Sequence, residues 1–428
     1  MKMKKFLSII IIFVVLLAIG CEDRSELAPP APPSTGDVNF SKFVTLGNSL
    51  TAAYQNGALY ESSQMYSIGK LIADQVGVPF EQPIVADPGT GGRLEVEALT
   101  ATGIKIYTNP NQGQPKNLNL NRPYNNLAVP GAFLYDVANA TSSTTCYSYV
   151  FGGQQNPLFD LVLRGQGSML TQAKALNPTV ITLWIGNNDI LGHATSGATI
   201  PYTPPTNFAF LYNALANELA NTGAKVVVAN IPDVTAIPFF TTVGPTLAAQ
   251  GINAVWAVRG VGDTIPVSVM TNYLTLRAID LLNQGKGLTK SNPLPSSVVL
   301  DSLEALNVKN VINEYNTTIS AIASAKGFGL VNANALLNSA KSGLTVNGIK
   351  FTTQYVTGGL FSLDGVHPTS RGYAIIANEF IKVINQKWGA NIPLINVANI
   401  PGSLFLVKGF AKFGLPVIPA GALDNLLF

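Results

Sequence analysis

Five short apolar stretches recur along the chain, and most of them are followed at once by Gly or Pro. They occupy residues 43–46, 124–129, 180–185, 225–230 and 329–332. Uninterrupted apolar runs, unlike alternating ones, are typical of strands that are buried on both faces of a parallel sheet. The pattern therefore predicts five strands in the interior of one sheet.

Between these runs, apolar residues recur at helical spacing. Phe208, Leu211, Leu215 and Leu219 share one helix face, and residues 308–325 and 374–388 show the same periodicity. Alternation of strands and helices predicts an α/β fold, a doubly wound sheet with helices on both faces. Such sheets carry their chemistry at the carboxyl ends of the strands.

Two long segments do not fit this alternation. Residues 78–122 are rich in Gly, Pro and Asn, and residues 241–300 mix apolar pieces with Gly and Pro. Both are too long for ordinary connections in a compact domain. We predict that they are ordered insertions near the functional site.

The first twenty residues have the pattern of a targeting signal. Lys2, Lys4 and Lys5 precede an apolar run over residues 6–19, which is shorter than the roughly 20 residues that span a bilayer. The run ends in small residues followed by Cys21, as in a bacterial lipobox. We predict a lipoprotein signal peptide over residues 1–20 with lipidation of Cys21; the alternative is a plain secretory signal. Residues 21–40, rich in Pro, Ala and Ser, would be a tether. This predicts a cell-envelope protein held by a lipid anchor.

Charge and cysteine content exclude a nucleic-acid partner and any site that needs several cysteines. The chain has 26 basic and 23 acidic residues, and without the three lysines of the signal 26 − 3 = 23 basic residues balance the acidic ones. No Lys/Arg cluster is present, so we predict no nucleic-acid partner. With only two cysteines, Cys146 has no partner if Cys21 is lipidated, and neither a disulfide framework nor a Cys-based metal site is expected.

The last segment, residues 396–428, is apolar. Beyond Ile400 its only charged residues are Lys408, Lys412 and Asp424. Gly and Pro interrupt it too often for a membrane helix. It either packs on the domain or lies along a lipid surface.

Candidate catalytic residues follow the predicted strands. The chain contains two histidines, His193 and His367, and no HExxH motif, Walker A loop, dinucleotide fingerprint or G-x-S-x-G elbow. Ser49 follows the first strand, and Asp364 and His367 lie three residues apart near the end of the chain. A serine nucleophile needs an imidazole base and a carboxylate that orients it. The Gly131 N–H and the Asn188 amide are placed to stabilise an oxyanion.

Four blocks carry a family resemblance. In chain order they are Gly47-Asn48-Ser49-Leu50, Asn126-Leu127-Ala128-Val129-Pro130-Gly131, Gly186-Asn187-Asn188-Asp189 and Asp364-Gly365-Val366-His367-Pro368. Together they resemble the blocks of the SGNH (GDSL) hydrolases, with Asn48 where the family usually has Asp.

The resemblance implies a flavodoxin-like α/β/α sandwich with a five-stranded parallel sheet over residues 41–395. It also implies ester hydrolysis without metal or cofactor, through an acyl-enzyme. Ser49 would be the nucleophile, His367 the base and Asp364 its orienter. The N–H groups of Ser49 and Gly131 and the Asn188 amide would form the oxyanion hole.

Three functions stay open at this point. The first is a lipase or esterase for small-molecule or lipid acyl esters, the second a carbohydrate esterase that deacetylates polysaccharide, and the third a non-catalytic binding lipoprotein. We favour apolar acyl esters, because the insertion over residues 241–300, Phe239, Phe240 and Tyr54 provide apolar side chains for an acyl groove. His193 is expected in an exposed loop.

Overall fold

The fold is described from a computed structural model, which covers residues 32–100, 103–259, 262–402, 414–424 and 426. The signal peptide and Cys21 lie outside this part of the chain. The compact unit described below begins at Thr35. Val38 and Phe40, at the end of the predicted tether, are buried in its core.

Twelve strands are formed within the described residues: β1 (Phe43–Gly47), β2 (Arg93–Thr100), β3 (Gly103–Asn109), β4 (Val180–Trp184), β5 (Lys225–Ala229), β6 (Ala254–Arg259), β7 (Asp263–Ser268), β8 (Tyr273–Leu274), β9 (Val299–Leu300), β10 (Gly329–Val331), β11 (Leu344–Val346) and β12 (Ile349–Phe351).

Fifteen α-helices are formed in the same part of the chain: α1 (Ser49–Ala52), α2 (Glu61–Gln64), α3 (Ile68–Val76), α4 (Asp136–Asn139), α5 (Tyr147–Gly152), α6 (Leu158–Leu163), α7 (Met169–Ala175), α8 (Asn188–Thr195), α9 (Pro205–Ala220), α10 (Pro238–Thr241), α11 (Val243–Ala249), α12 (Ala278–Asn283), α13 (Ser302–Ala325), α14 (Ala333–Ser342) and α15 (Ser370–Trp388). None of the described helices is both long and apolar enough to cross a membrane.

The central sheet is parallel, in the order β1-β4-β5-β10. The predicted strand over residues 124–129 is irregular. Leu127 N donates to Thr45 O at 3.0 Å and Val129 N donates to Gly47 O at 3.2 Å, so this segment runs beside β1 with a single ladder bridge, at Asn126. The predicted α/β class and parallel sheet are confirmed, with four regular strands and one irregular edge segment.

Both faces of the sheet are covered, which makes three layers. Successive strand residues point to opposite faces. Val44, Ile181 and Val226 pack into a core with α9 and α13, whereas Phe43, Val180 and Val227 pack into a second core with α3 and α15. Burial on both sides explains why these strands are apolar throughout.

The two predicted insertions are ordered outside the sheet. The first contains the antiparallel hairpin β2–β3. The second contains the hairpin β6–β7, the antiparallel pair β8–β9 and the helices α11 and α12, and α10 directly precedes it. In the C-terminal segment, Ile106 and Val417 are joined by a 2.9 Å backbone hydrogen bond, and Ile418 and Leu423 are buried. The described part of that segment therefore packs on the domain.

Candidate active site

The site lies where the chain changes direction around β1. The segment after β1 returns on one side of it, at Asn126, and β4 pairs on its other side. Such a switch point opens a crevice at the carboxyl ends of the strands. Ser49 lies in this crevice, two residues after β1, as the first residue of α1.

Asn48 shapes the turn that presents Ser49. Its side-chain oxygen accepts a 3.2 Å hydrogen bond from the Leu50 N–H, which caps α1. An amide can make this bond as well as a carboxylate, so Asn at this position preserves the turn. The Asn48 Nδ2 is buried without a partner in the described structure.

A tight loop holds Asp364 and His367 together. The Asp364 Oδ1 accepts from the backbone N–H groups of Val366 and His367 at 2.9 and 2.8 Å, which folds the loop back on itself. The Asp364 Oδ2 lies 3.0 Å from His367 Nδ1 and accepts from the Gly57 N–H at 3.0 Å. The carboxylate thus holds the imidazole through Nδ1 and fixes the orientation of the ring.

Asp364 remains ionised despite complete burial. Burial pushes its pKa upward, but the neighbouring charge of His367 and the hydrogen bonds from His367 and Val366 outweigh it and hold the pKa below its ordinary value. The ring of Tyr54 packs edge-on against His367 at 4.9 Å between centroids. The imidazole is therefore fixed by a charge on one side and a ring on the other.

The second predicted donor loop comes close to the same crevice. The Asn188 Nδ2 donates to Ala132 O at 2.8 Å, which ties α8 to the loop that carries Gly131. Gly131 has φ +82°, a conformation that favours glycine. Among the described residues, the backbone N–H groups of Ser49 and Gly131 have no acceptor, so both are free to bind an oxyanion.

Two buried carboxylates accept hydrogen bonds from the backbone of the loop that follows Gly131. Asp136 accepts from the Phe133 N–H at 2.8 Å and from Tyr147 at 2.6 Å, and Asp189 accepts from the Leu134 N–H at 2.9 Å. Burial raises the pKa of Asp136 to about 7 and that of Asp189 to about 6. Asp189, which the sequence shows only as part of G-x-N-D, is thereby a link between two blocks.

Ser49 and His367 line an apolar groove. Its far wall comes from α14 and α15. The remaining lining residues are Leu50, Trp184, Asn187, Asn188, Leu191, Pro232, Val234, Ile237, Ala333, Leu336, Leu337, Ala340, Leu344, Leu360, Phe361, Val366, Pro368, Gly372, Ile375 and Ile376.

Within the described hydrogen bonds, none joins Ser49 Oγ to His367. In enzymes without substrate such bonds are often long and tighten when substrate binds.

The groove is not built from the residues that the sequence analysis assigns to it. Phe239 and Phe240 are buried in the core, where Phe239 N donates to Gly365 O at 2.9 Å. Val255 and Leu274, which belong to the insertion, are buried in the same core as Phe239 and Phe240. The groove beside Ser49 and His367 is therefore lined by other residues than those expected for an acyl groove, because the expected side chains pack in the core.

His193 also departs from expectation. It lies on α8 and not in an exposed loop, with 9% of its surface exposed, and its Nδ1 lies 2.6 Å from Ile200 O. That contact gives the ring a structural role. In the described residues no group of three metal-ligating side chains comes together.

Several contributors are invisible in the sequence. Gly57 supports Asp364 from a loop with no motif, and the groove wall formed by α14 carries no signal beyond an amphipathic pattern over residues 333–342. Asn187 lies inside the G-x-N-D block at its variable position. These roles depend on which elements meet in space.

Comparison with known proteins gives one strong match. The model of a family described as GDSL-like lipase/acylhydrolase matches residues 43–380, which contain all four blocks. A search of curated proteins finds no significant match.

Several solved structures are similar at low identity. An alpha/beta hydrolase enzyme from the metagenome of Lake Arreo in Spain is 12% identical, with a TM-score of 0.36 over 81% of this chain and 96% of that one. A variant of an acetyl xylan esterase from Geobacillus stearothermophilus is 11% identical, with a TM-score of 0.34 over 80% of this chain and 94% of that one.

Proposed function

Because the chain belongs to the GDSL-like lipase/acylhydrolase family and is thus a hydrolase that acts on esters, we propose that it is a serine esterase for apolar acyl esters. The observation that carries this proposal is the convergence of Ser49 and the hydrogen-bonded Asp364–His367 pair at the end of an apolar groove. The reaction would proceed through an acyl-enzyme.

In the first step, His367 takes the proton of Ser49 as Oγ attacks the ester carbonyl carbon. Negative charge moves to the carbonyl oxygen, which accepts from the N–H groups of Ser49 and Gly131 and from the Asn188 amide. The carbon–oxygen bond of the ester then breaks, and His367 returns the proton to the leaving alcohol. Asp364 stays ionised throughout and stabilises the imidazolium.

In the second step, water replaces the alcohol. His367 accepts a proton from water, the resulting hydroxide attacks the acyl-enzyme carbonyl, and the same donors stabilise the oxyanion. Collapse of that intermediate releases the carboxylic acid and returns the proton to Ser49 Oγ. The scheme uses no metal ion and no cofactor.

Kinetics of single and double variants test the mechanism. Ser49→Ala and His367→Ala should each lower kcat on a nitrophenyl ester by at least about 10⁴-fold, and the double variant should lose little more, because the two groups act as one unit. A chelator should leave the rate unchanged. Retained turnover in Ser49→Ala, or inactivation by the chelator, would refute this assignment.

We further propose that Cys21 carries a lipid that holds the enzyme at the cell envelope. The lipobox-like sequence before Cys21 supports this, and it fits an enzyme whose groove is apolar. Cys21→Ser should yield an unprocessed or released protein, measured by membrane fractionation and by labelling with a lipid precursor. Equal labelling of parent and variant would reject the anchor.

A further inference from the structure

Asn187 is a buried polar residue for which the fold gives no structural use. It precedes α8 at the N-cap position, where Asn commonly accepts a hydrogen bond from the helix. Here its backbone is already helical, with φ −62° and ψ −42°, and its side chain makes no cap bond. Only 4% of its surface is exposed.

Both polar atoms of the Asn187 amide lack a partner. Within the described structure, Nδ2 and Oδ1 are buried and neither forms a hydrogen bond. Burial of an unpaired donor and acceptor destabilises a protein, and Leu has nearly the same size without that penalty. Departures from a local rule of this kind concentrate at functional sites.

The position of Asn187 indicates what it meets. It lines the same groove as Ser49 and His367, and it directly precedes Asn188. Consecutive Cα atoms lie about 3.8 Å apart, so the group that Asn187 would meet belongs to the part of the substrate near the ester carbonyl that Asn188 is proposed to bind.

The chemistry of the groove narrows the class of that group. None of the described residues that line it is Lys, Arg, Asp or Glu, so a charged group would be buried without a counterion. A carbonyl oxygen would accept from Nδ2 but leave Oδ1 unpaired. A hydroxyl group can accept from Nδ2 and can donate to Oδ1.

We propose that Asn187 is a specificity residue that selects esters carrying a hydroxyl group within a few bonds of the scissile carbonyl. This inference rests on the proposed esterase function. The hydroxyl belongs either to the acyl chain or to the alcohol, and both sources present the same chemistry to Asn187. An ester without it leaves the amide unpaired, and the transition state loses a hydrogen bond.

Matched substrates separate the two sources. On the acyl side, nitrophenyl 3-hydroxyhexanoate is compared with nitrophenyl hexanoate. On the alcohol side, monohexanoylglycerol is compared with propyl hexanoate. The parent should prefer the hydroxylated ester of one pair by about tenfold in kcat/KM. Asn187→Leu should abolish that preference, so that the kcat/KM values of the two esters in the pair become equal.

Two additions keep the test decisive. Asn187→Ser retains a small donor and acceptor and should keep part of the preference if Asn187→Leu folds poorly. Binding is measured independently of turnover with Ser49→Ala: hydroxylated esters should raise its Tm more than plain ones, and the added substitution Asn187→Leu should remove the difference.

The outcomes distinguish the inference from the function beneath it. Hydrolysis of plain and hydroxylated esters with equal kcat/KM in both pairs, together with equal shifts in Tm, overturns the role of Asn187 and leaves the esterase in place. A preference that survives Asn187→Leu overturns it as well. Failure of the parent to hydrolyse any of the four esters overturns the proposed function, and the Tm shifts then decide the inference alone.

Discussion

At the scale of single residues, the site combines a buried charged group, the Asp364 carboxylate, with a hydrogen-bond donor, the Asn188 amide. Asp364 is completely buried yet ionised, because the backbone N–H groups of Gly57, Val366 and His367 and the His367 ring take the place of water around its carboxylate. Asn188 instead has one amide proton committed to Ala132 and one available to substrate. This arrangement leads to two predictions at the residue scale.

Replacement of Asn188 should act on the transition state. Loss of one oxyanion donor costs on the order of 100- to 1000-fold in turnover. We expect Asn188→Ala to lower kcat by about that factor and to change KM little, as measured by steady-state kinetics on a nitrophenyl ester. An increase in KM at unchanged kcat would instead give Asn188 a role in ground-state binding.

Asp136 should make stability depend on pH. Its pKa is raised in the folded state to about 7, above the ordinary value of 3.8, so the folded protein binds the proton more tightly than the unfolded chain. The contribution of this group to the free energy of unfolding therefore falls as pH rises from about 4 to about 7, by at most about 1.4 kcal/mol per pH unit.

Asp136→Asn should remove this contribution. Denaturant unfolding of parent and variant at pH 5 and pH 8 measures it. The free energy of unfolding of the variant should fall less, or rise more, from pH 5 to pH 8 than that of the parent. The comparison of the two slopes is unaffected by the hydrogen bond that the variant loses to Phe133 or Tyr147. If the free energy of unfolding changes by the same amount from pH 5 to pH 8 in parent and variant, Asp136 does not titrate in this range.

At the scale of elements, the loop between Ser362 and Thr369 joins the proposed catalytic pair, Asp364 and His367, to the core. Ser362 N donates to His367 O at 2.8 Å, and Thr369 caps α15 by accepting from the Gly372 N–H at 3.1 Å. The spacing of Asp364 and His367 is therefore set by a loop that is anchored at both ends.

Gly365 is the position where this loop tolerates no side chain. Its φ is +73°, and an added Cβ would lie 2.5 Å from Leu276 Cδ1 and 3.1 Å from Phe239 N. We expect Gly365→Ala to destabilise the protein by at least about 1–2 kcal/mol and to reduce kcat, since the triad loses its spacing.

Gly192→Ala is the matched control. Gly192 lies within α8, and a Cβ there would meet nothing within 4 Å. Ala is also the better helix former, so thermal unfolding should show equal or higher stability and kinetics should show normal turnover. Equal behaviour of the two alanine variants would contradict the role given to the loop.

Over the whole molecule, α14 and α15 place an apolar wall beside the proposed triad. If that wall holds an acyl chain, each buried methylene contributes about 0.8 kcal/mol, or roughly fourfold in kcat/KM. Efficiency on nitrophenyl esters of two, four, eight and twelve carbons should therefore rise until the groove is full. A maximum at the acetyl ester, with acetate release from acetylated xylan, would favour the carbohydrate esterase.

A pair of tryptophan substitutions locates the wall. Leu336→Trp, in α14, narrows the groove and should move the optimum to a shorter chain. Met270→Trp, on the exposed surface of the insertion over residues 241–300, should leave the profile unchanged. The opposite pattern would return the acyl site to the insertion.

The sequence by itself determined the class of fold and identified the residues of the proposed catalytic set. Strands buried on both faces are apolar throughout, so residues 43–46, 180–185 and 225–230 were predictable without tertiary contacts. Asp364 and His367 could be paired because three residues of a tight turn bring them together locally. Asn188 and Gly131 were recognisable because both follow predicted strands within known blocks.

Only the tertiary structure decided what surrounds that set. Apolar residues pack equally well in a core or along a groove, so composition could not separate Phe239, which is buried in the core, from Leu336, which lines the groove. The unpaired state of Asn187 and the support of Asp364 by Gly57 depend on residues that are distant in the chain. Hydrophobic patterning specifies that a side chain is buried, whereas the packing of helices and strands specifies which residues it contacts.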